Sequence, residues 1–216
     1  MSKIFNDLGK YKEKIGLIDT DNKGYSYNKI LQEVEKVSRK VKKGTLILFL
    51  SSNILESVTG YISFIKNNNI LILLDKSFDK KFVGKMIKNY KPSFIYKPKN
   101  YFLKITKNKS LHNGDKYELL RTNFKLKTDY NKKNFLLLTT SGSTQNPKLV
   151  RLSEYNILNN VKKIIRYLNI KSKNVTITTM PMAYSYGLSV INTFIYSGAK
   201  IVLSEKSVFE KEFWEK

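Results

Sequence analysis

Residue types that carry chemistry in many proteins are scarce in this sequence of 216 residues. It has no cysteine, which excludes disulfide bonds, thiolate nucleophiles and cysteine-bound metals. Its one histidine, His112, stands in a polar Asn-Gly segment, which predicts a solvated loop histidine and excludes a histidine metal cluster. No apolar run approaches the roughly 18 to 20 residues of a membrane span, and residues 1–10 lack an apolar signal-peptide segment. We therefore expect a cytoplasmic protein with no membrane partner and no metal-ligand cluster.

Acidic residues are few: 17 Asp and Glu stand against 40 Lys and Arg, which gives a net charge of +23. Such a surplus raises a nucleic-acid hypothesis, because clustered cations release counterions from phosphate backbones. Specific recognition of bases and phosphates favours arginine, however, and the lysines here are spread along the chain beside residue types with A/T-rich codons. We predict no specific nucleic-acid partner, and nonspecific polyanion binding is the alternative. The only arginines are Arg39, Arg121, Arg151 and Arg166.

Residues 137–150 read LLTTSGSTQNPKLV, a hydroxyl- and glycine-rich turn directly after an apolar run. The run at 135–138 predicts a short buried strand, and the turn offers hydroxyls and backbone N–H groups together. Such donors can surround phosphate oxygens, while Gly142 lets the backbone approach closely and Lys148 adds a positive charge. Walker A does not fit, because Gly142 has no partner glycine and Pro147 precedes the lysine. The alternative is a Ser/Thr-rich surface turn between two strands.

This stretch resembles the signature of the AMP-forming adenylating enzymes, which include acyl-CoA synthetases, peptide-synthetase adenylation domains and luciferases. The family pattern is usually written Thr-Ser-Gly-Ser/Thr-Thr-Gly-x-Pro-Lys-Gly. Gln145 and Leu149 stand where the family usually has glycine. The resemblance implies that the loop binds the β- and γ-phosphates of ATP with Mg²⁺ alongside, and that Lys148 acts in catalysis. The implied ATP-binding residues are Thr140, Ser141, Gly142, Ser143, Thr144 and Lys148.

A second stretch, residues 178–203, resembles the family element Pro-Leu-Phe-His-x-x-Gly-Leu and the Gly-Ala and strand that follow it. Tyr184 occupies the position that is often histidine in this family element. The resemblance implies that Tyr184 and Gly187 lie at the carboxylate-substrate pocket, and an ordinary half-buried tyrosine is the alternative. The sequence PMAYSYGLSV, together with a later EFW, also resembles segments of adenylating ligases that are encoded with bacterial surface-polysaccharide pathways. The positions that match the element are Pro181, Gly187, Leu188, Gly198 and Ala199.

Strands and helices alternate along the rest of the chain, which predicts parallel pairing. Asn53 followed by Glu56 predicts a capped helix through about residue 66, and Ser153 predicts the cap of a helix with an apolar stripe from Ile157 to Leu168. Gly44 stands where a first helix would end. The fold class is therefore α/β with a largely parallel sheet flanked by helices, and the resemblance implies an incomplete N-terminal domain of an adenylating enzyme. The predicted strands are 16–20, 25–27, 45–50, 70–74, 93–96, 148–152, 175–179 and 200–203; the other helices are about 30–41 and 78–90.

We divide this partial AMP-binding domain into strand–helix units at 1–96, an irregular connection at 97–134, and the phosphate loop with its following strand–helix units at 135–216. By resemblance, the C-terminal domain is absent, and the elements that help hold magnesium, bind the ribose and supply a further catalytic lysine lie past residue 216. No magnesium ligand can be assigned within 1–216.

The resemblance implies ATP-dependent adenylation of an acyl or amino acid. No side-chain nucleophile is required, because a carboxylate with a pKa near ~4 is already ionised at neutral pH. The expected partners are a small carboxylate substrate, coenzyme A or a carrier protein as acceptor, and a second polypeptide that supplies the C-terminal half. The alternative is a non-catalytic or truncated remnant that serves as a binding module or as half of a split enzyme.

Overall fold

The computed structural model describes residues 3–103, 108–128, 130, 135–139 and 148–215. A 3₁₀ helix at Asn6–Tyr11 is the first element. The strands are β1 (Ile15–Ile18), β2 (Gly24–Ser26), β3 (Leu46–Ser51), β4 (Ile70–Asp75), β5 (Phe94–Pro98), β6 (Lys109–Asn113), β7 (Tyr117–Arg121), β8 (Leu136–Thr139), β9 (Leu149–Leu152), β10 (Val175–Ile177) and β11 (Lys200–Val202). The helices are α1 (Tyr27–Ser38), α2 (Leu55–Lys66), α3 (Lys80–Tyr90), α4 (Glu154–Leu168), α5 (Ser185–Tyr196) and α6 (Lys211–Trp214).

The strands form two sheets. The larger has the order β6-β7-β5-β3-β4-β8-β9, in which β5, β3, β4 and β8 run parallel and the outer pairings are antiparallel. The smaller has the order β10-β11-β1-β2, with β10, β11 and β1 parallel. The expected largely parallel α/β fold is confirmed, whereas the division into two sheets was not predicted.

The main core lies between the two sheets. One apolar cluster joins Phe49 and Leu71 of the larger sheet to Leu17 and Ile201 of the smaller one. Helix α2 belongs to this cluster, and every residue from Ser57 to Ile65 is buried, so the helix lies inside the core rather than on its surface. A second cluster covers the opposite face of the larger sheet, where α3 packs through side chains such as Val83.

The first helix begins and ends about three residues earlier than predicted. Helix α1 ends at Ser38, although Val41 beyond it is buried at 6% exposure. Gly44 lies in the turn into β3 with φ of +71°, a left-handed conformation that glycine adopts without a Cβ penalty. The glycine therefore marks the start of the strand rather than the end of the helix.

The predicted cap of α4 is confirmed. Ser153 accepts a hydrogen bond from the backbone N–H of Asn156 at 3.1 Å, and the Asn156 side chain accepts one from the Ser153 N–H at 2.9 Å. Ile157 and Val161 are buried as expected. The prediction that Leu168 belongs to the same buried stripe is wrong, because Leu168 is 59% exposed in the last turn.

The predicted cap of α2 is wrong. Its N-cap residue, Ile54, makes no side-chain cap bond, and Asp19 at the end of β1 accepts from the Leu55 N–H at 3.1 Å instead. Glu56 turns toward the β6–β7 hairpin, where its carboxylate accepts from the backbone N–H of Lys116 at 2.7 Å and of residue 117 at 3.0 Å. Asp19 and Glu56 thus each make hydrogen bonds to residues that are remote in sequence.

That hairpin lies within the connection predicted at 97–134. Strands β6 and β7 pair with each other and extend the larger sheet beyond β5. His112 lies within β6 opposite Leu119 and is half-buried, so its predicted place in a solvated turn is wrong.

Candidate functional site

The parallel strands of the larger sheet end along one edge. Ser51 at the end of β3 lies in register with Asp75 at the end of β4, and Leu73 of β4 pairs with Leu138 of β8. In open α/β sheets, ligands bind in crevices outside the carboxyl ends of the strands. This edge is therefore the place to look for a site.

A cleft of about 350 Å³ opens there between the two sheets. Its walls come from residues at or just beyond the carboxyl ends of strands in both sheets. A neighbouring depression of about 270 Å³ shares Ser52, Lys76 and Glu205 with it. The cleft residues that follow or end strands are Ser52 after β3, Asp75 in β4, Thr179 after β10 and Ser204 after β11.

The lysines that line this cleft are paired with acids. Lys76 Nζ lies 2.5 Å from Glu205 Oε1, and Lys206 Nζ lies 3.0 Å from Glu210 Oε2. The hydrogen bond from the Ser207 N–H, followed by that from Lys206, lowers the pKa of the Glu210 carboxyl, and the hydrogen bond to Glu210 raises the pKa of Lys206. Among the cleft residues that the structure describes, both lysines are therefore already neutralised by a glutamate. Positive charge for a phosphate would have to come from elsewhere on this edge.

The predicted phosphate loop departs from the same edge. Residues Thr140, Ser141, Gly142, Ser143 and Thr144 lie outside the described residues, as does the remainder of 140–147. Both ends of the loop are described, and they pair with each other: Thr139 of β8 stands opposite Leu149 of β9 in an antiparallel ladder.

The strand predicted before the loop is confirmed, since Phe135 is 5% exposed and Leu136 is fully buried. Lys148 is exposed and lies at the start of β9, directly beside this ladder. Because β8 pairs with β4, Thr139 and Lys148, which flank the loop, lie at the end of the strand next to the one that carries Asp75. Its role in catalysis and ATP binding stays a prediction.

The second predicted stretch is held in place by Asn53, a residue that the sequence analysis took for a helix cap. The Asn53 side chain donates to the carbonyl of Met180 at 3.0 Å and accepts from the N–H of Met182 at 3.1 Å. This two-point contact fixes the segment that leads from β10 into α5. No local pattern could have indicated it, because the partners are more than a hundred residues apart.

Tyr184 is the N-cap residue of α5 and is half-buried, and its side chain makes no cap hydrogen bond. Gly187 is buried in the first turn of that helix. A Cβ atom built on Gly187 falls 2.7 Å from the Met180 carbonyl oxygen and closer still to that of Pro181. Glycine is thus required for packing at this position. Contact of Tyr184 or Gly187 with a substrate stays a prediction.

Within the described part of the chain, no group of three or more His, Cys, Asp and Glu side chains could hold a metal ion. A bound Mg²⁺ would therefore need ligands from a nucleotide or from other residues. None of the described helices is long and apolar enough to cross a bilayer.

Several solved structures share the fold of this chain at low sequence identity. Apo MatB from Rhodopseudomonas palustris superposes with a TM-score of 0.77 at 13% identity, covering 99% of this chain and 46% of that one. O-succinylbenzoate coenzyme A synthetase (MenE) from Bacillus subtilis in complex with AMP gives 0.73 at 16% identity, covering 95% and 56%. VinN gives 0.70 at 17% identity, covering 94% and 55%. These likenesses concern the fold, and the chain spans about half the length of the proteins it matches.

No curated protein matches the sequence. A family model described as "AMP-binding enzyme", in contrast, matches residues 5–216, which is nearly the whole chain. The match includes the loop after β8 and the segment that leads into α5, the two stretches that carried the resemblance. The chain belongs to the AMP-binding enzyme family.

Proposed function

We propose that this chain carries the phosphate-binding part of an AMP-forming carboxylate ligase. The observation that supports this most directly is the β8–β9 ladder, which closes a loop of sequence TSGSTQNP followed by Lys148 at the carboxyl edge of the parallel sheet. Such a loop offers backbone N–H groups and hydroxyls at one point, and Lys148 adds a cation there. MatB has been solved with ATP bound and MenE with an acyl-adenylate, which is consistent with nucleotide chemistry in proteins of this fold.

The reaction would be attack of a carboxylate oxygen on the α-phosphorus of ATP. The new bond joins that oxygen to phosphorus, the bond from the α-phosphorus to the bridging oxygen breaks, and pyrophosphate leaves with the electron pair. The reactants are both anions, so the protein must hold them together and neutralise charge on the departing group. We assign the phosphate contacts to residues 140–144 and Lys148.

Mg²⁺ suits this scheme as a companion of the nucleotide, because it is commonly held by substrate phosphates and one or two carboxylates. The proposed carboxylate pocket lies next to the start of α5, where Tyr184 stands in a column that is often histidine in the family. Asn53 binds the backbone segment that precedes Tyr184, and Gly187 allows that segment to pack closely against α5. The acceptor of the acyl group would be coenzyme A or a carrier protein.

The test is a titration of the purified chain with Mg-ATP, followed by thermal denaturation and calorimetry. We expect saturable stabilisation, of about 2.7 kcal/mol when ATP is present at 100 times its Kd. Lys148→Ala should weaken binding about 10- to 100-fold, the loss expected for one hydrogen bond to a charged group. Lys162→Ala, which removes an equally exposed lysine from α4, is the matched control and should bind as the unmodified chain does.

Two results would count against the proposal. Equal ATP affinity in Lys148→Ala and the unmodified chain would remove the loop assignment. ATP binding without carboxylate-dependent exchange of pyrophosphate into ATP, across a panel of short acyl, aryl and amino acids, would argue against adenylation by this chain.

A further inference from the structure

A second concave surface lies away from the candidate site, on the outer side of the larger sheet. It is a groove of about 800 Å³ between α3 and the segments 102–103 and 122–124. None of its lining residues belongs to the cleft at the carboxyl edge or to the phosphate loop. Its volume falls within the range of roughly 300 to 1,000 Å³ that is usual for small-molecule sites.

The interior of the groove is apolar. Ile87 of α3 and the side chains of Phe102, Leu103 and Phe124 line it. Phe102 is 75% exposed, although phenylalanine ordinarily gains from burial. These side chains present a hydrocarbon surface that water covers poorly.

The rim of the groove is positively charged. Lys80, Lys81, Lys88 and Lys91 line it, and none of the acidic residues that the structure describes does. The nearest acid along the chain, Asp79, caps α3 by accepting from the Lys81 backbone N–H at 3.1 Å. Within the described part of the chain, none of the four lysines forms an ion pair. An anion would thus meet several cations that have no fixed partner.

Gly84 forms part of this groove from the middle of α3. Glycine inside a helix is less stable than alanine, so its presence calls for a reason such as close packing. Here packing supplies none, because a Cβ atom built on Gly84 meets no other atom within 4 Å. The missing side chain instead leaves space between the apolar wall and the lysine rim.

We propose that this groove binds an anionic amphiphile, a molecule with a hydrocarbon chain or ring that ends in a carboxylate or phosphate. The hydrocarbon would lie over Gly84 against Phe102 and Phe124, and the charged end would lie among the lysines at either end of α3. Binding here is separate from the proposed adenylation site and does not depend on it.

The probe is decanoate below its micelle concentration, added to the full chain and followed by calorimetry. Saturable binding of one decanoate is expected. Acetate, which has the charge without the chain, and decyltrimethylammonium, which has the chain with the opposite charge, should not bind measurably. Binding of the cationic probe as tightly as decanoate would refute the charge argument, and absence of saturable decanoate binding would refute the site.

Variants locate the binding. Gly84→Leu fills the groove from a position where a side chain meets no obstacle, so it should fold with an unchanged or higher melting temperature and lose at least about 10-fold in decanoate affinity. Lys88→Gln should weaken binding several-fold, whereas Lys85→Gln, on the same helix but outside the groove, should not. Lys148→Ala should bind decanoate normally. Unchanged affinity in both Gly84→Leu and Lys88→Gln would place the binding elsewhere on this strongly basic chain and overturn the proposal.

Discussion

Replacement of Asn53 by alanine should destabilise the protein through one backbone segment. Asn53 is 7% exposed and makes two hydrogen bonds to the segment between β10 and α5. Without it, the N–H of Met182, a fully buried residue, has no acceptor, which costs about 1 to 3 kcal/mol. Met180 is 44% exposed, so its carbonyl can be rehydrated and only the net value of one bond, about 0.5 to 1.5 kcal/mol, is lost there. The two losses together amount to about 1.5 to 4.5 kcal/mol.

Urea denaturation measures this change in the free energy of unfolding, and hydrogen exchange assigns it. The amide of Met182 should exchange faster in Asn53→Ala. Asn53→Asp keeps an acceptor for that amide but loses the donor to Met180, so Met182 should stay protected while stability still falls. Asn89→Ala, at an exposed position of α3, is the control and should change stability by less than about 0.5 kcal/mol. A similarly small effect of Asn53→Ala would refute the reasoning.

Three further substitutions test contacts that are remote in sequence. Lys97 is 5% exposed and its ammonium lies 2.5 Å from the carboxylate of Glu118, so Glu118→Ala leaves a buried cation without its acidic partner. Because Glu118 is itself 23% exposed, we expect the free energy of unfolding in urea to fall by about 1 to 3 kcal/mol. An unchanged free energy would show that the ion pair does not stabilise the fold. Asp19→Ala removes the acceptor for the first amide of α2 and should lower the free energy of unfolding by about 1 to 2 kcal/mol. The Leu55 amide should then exchange faster with solvent, and unchanged exchange at Leu55 would contradict this role of Asp19. Gly187→Ala forces a Cβ atom against two carbonyl oxygens and should cost more than about 2 kcal/mol in the melting curve, so that a variant as stable as the original chain would contradict the packing role.

The regular elements could be predicted because their causes are local. The unbroken apolar runs of β3 and β4 and the capping box at Ser153 each involve neighbours within a few residues, and the structure contains all three. The Ser-Gly-Ser loop and its lysine were recognised in the same way, as a contiguous motif. Its placement at the carboxyl edge then followed from the pairing of β8 with β4.

The contacts that organise the site could not be predicted, because they join distant parts of the chain. Asn53 and Glu56 have the spacing of a cap and its supporting acid, yet each has a stronger partner elsewhere: the backbone before α5 for Asn53 and the β6–β7 turn for Glu56. Local propensity contributes about 1 kcal/mol at a helix end, so two well-placed tertiary hydrogen bonds outweigh it. The division into two sheets has the same origin, since the strand order depends on which strands meet after collapse.

The smaller sheet also constrains when the protein can fold. Strand β1 pairs on one side with β2, its immediate neighbour in the chain, and on the other with β11, where Leu17 stands opposite Ile201. An isolated two-stranded hairpin is marginally stable in water, so β1 and β2 depend on packing against α1 and on pairing with β11. The ribosome must therefore translate the chain as far as residue 202 before β1 can pair along that side. Closing so large a loop raises the contact order and slows folding, so this edge of β1 stays unpaired until β11 has been made.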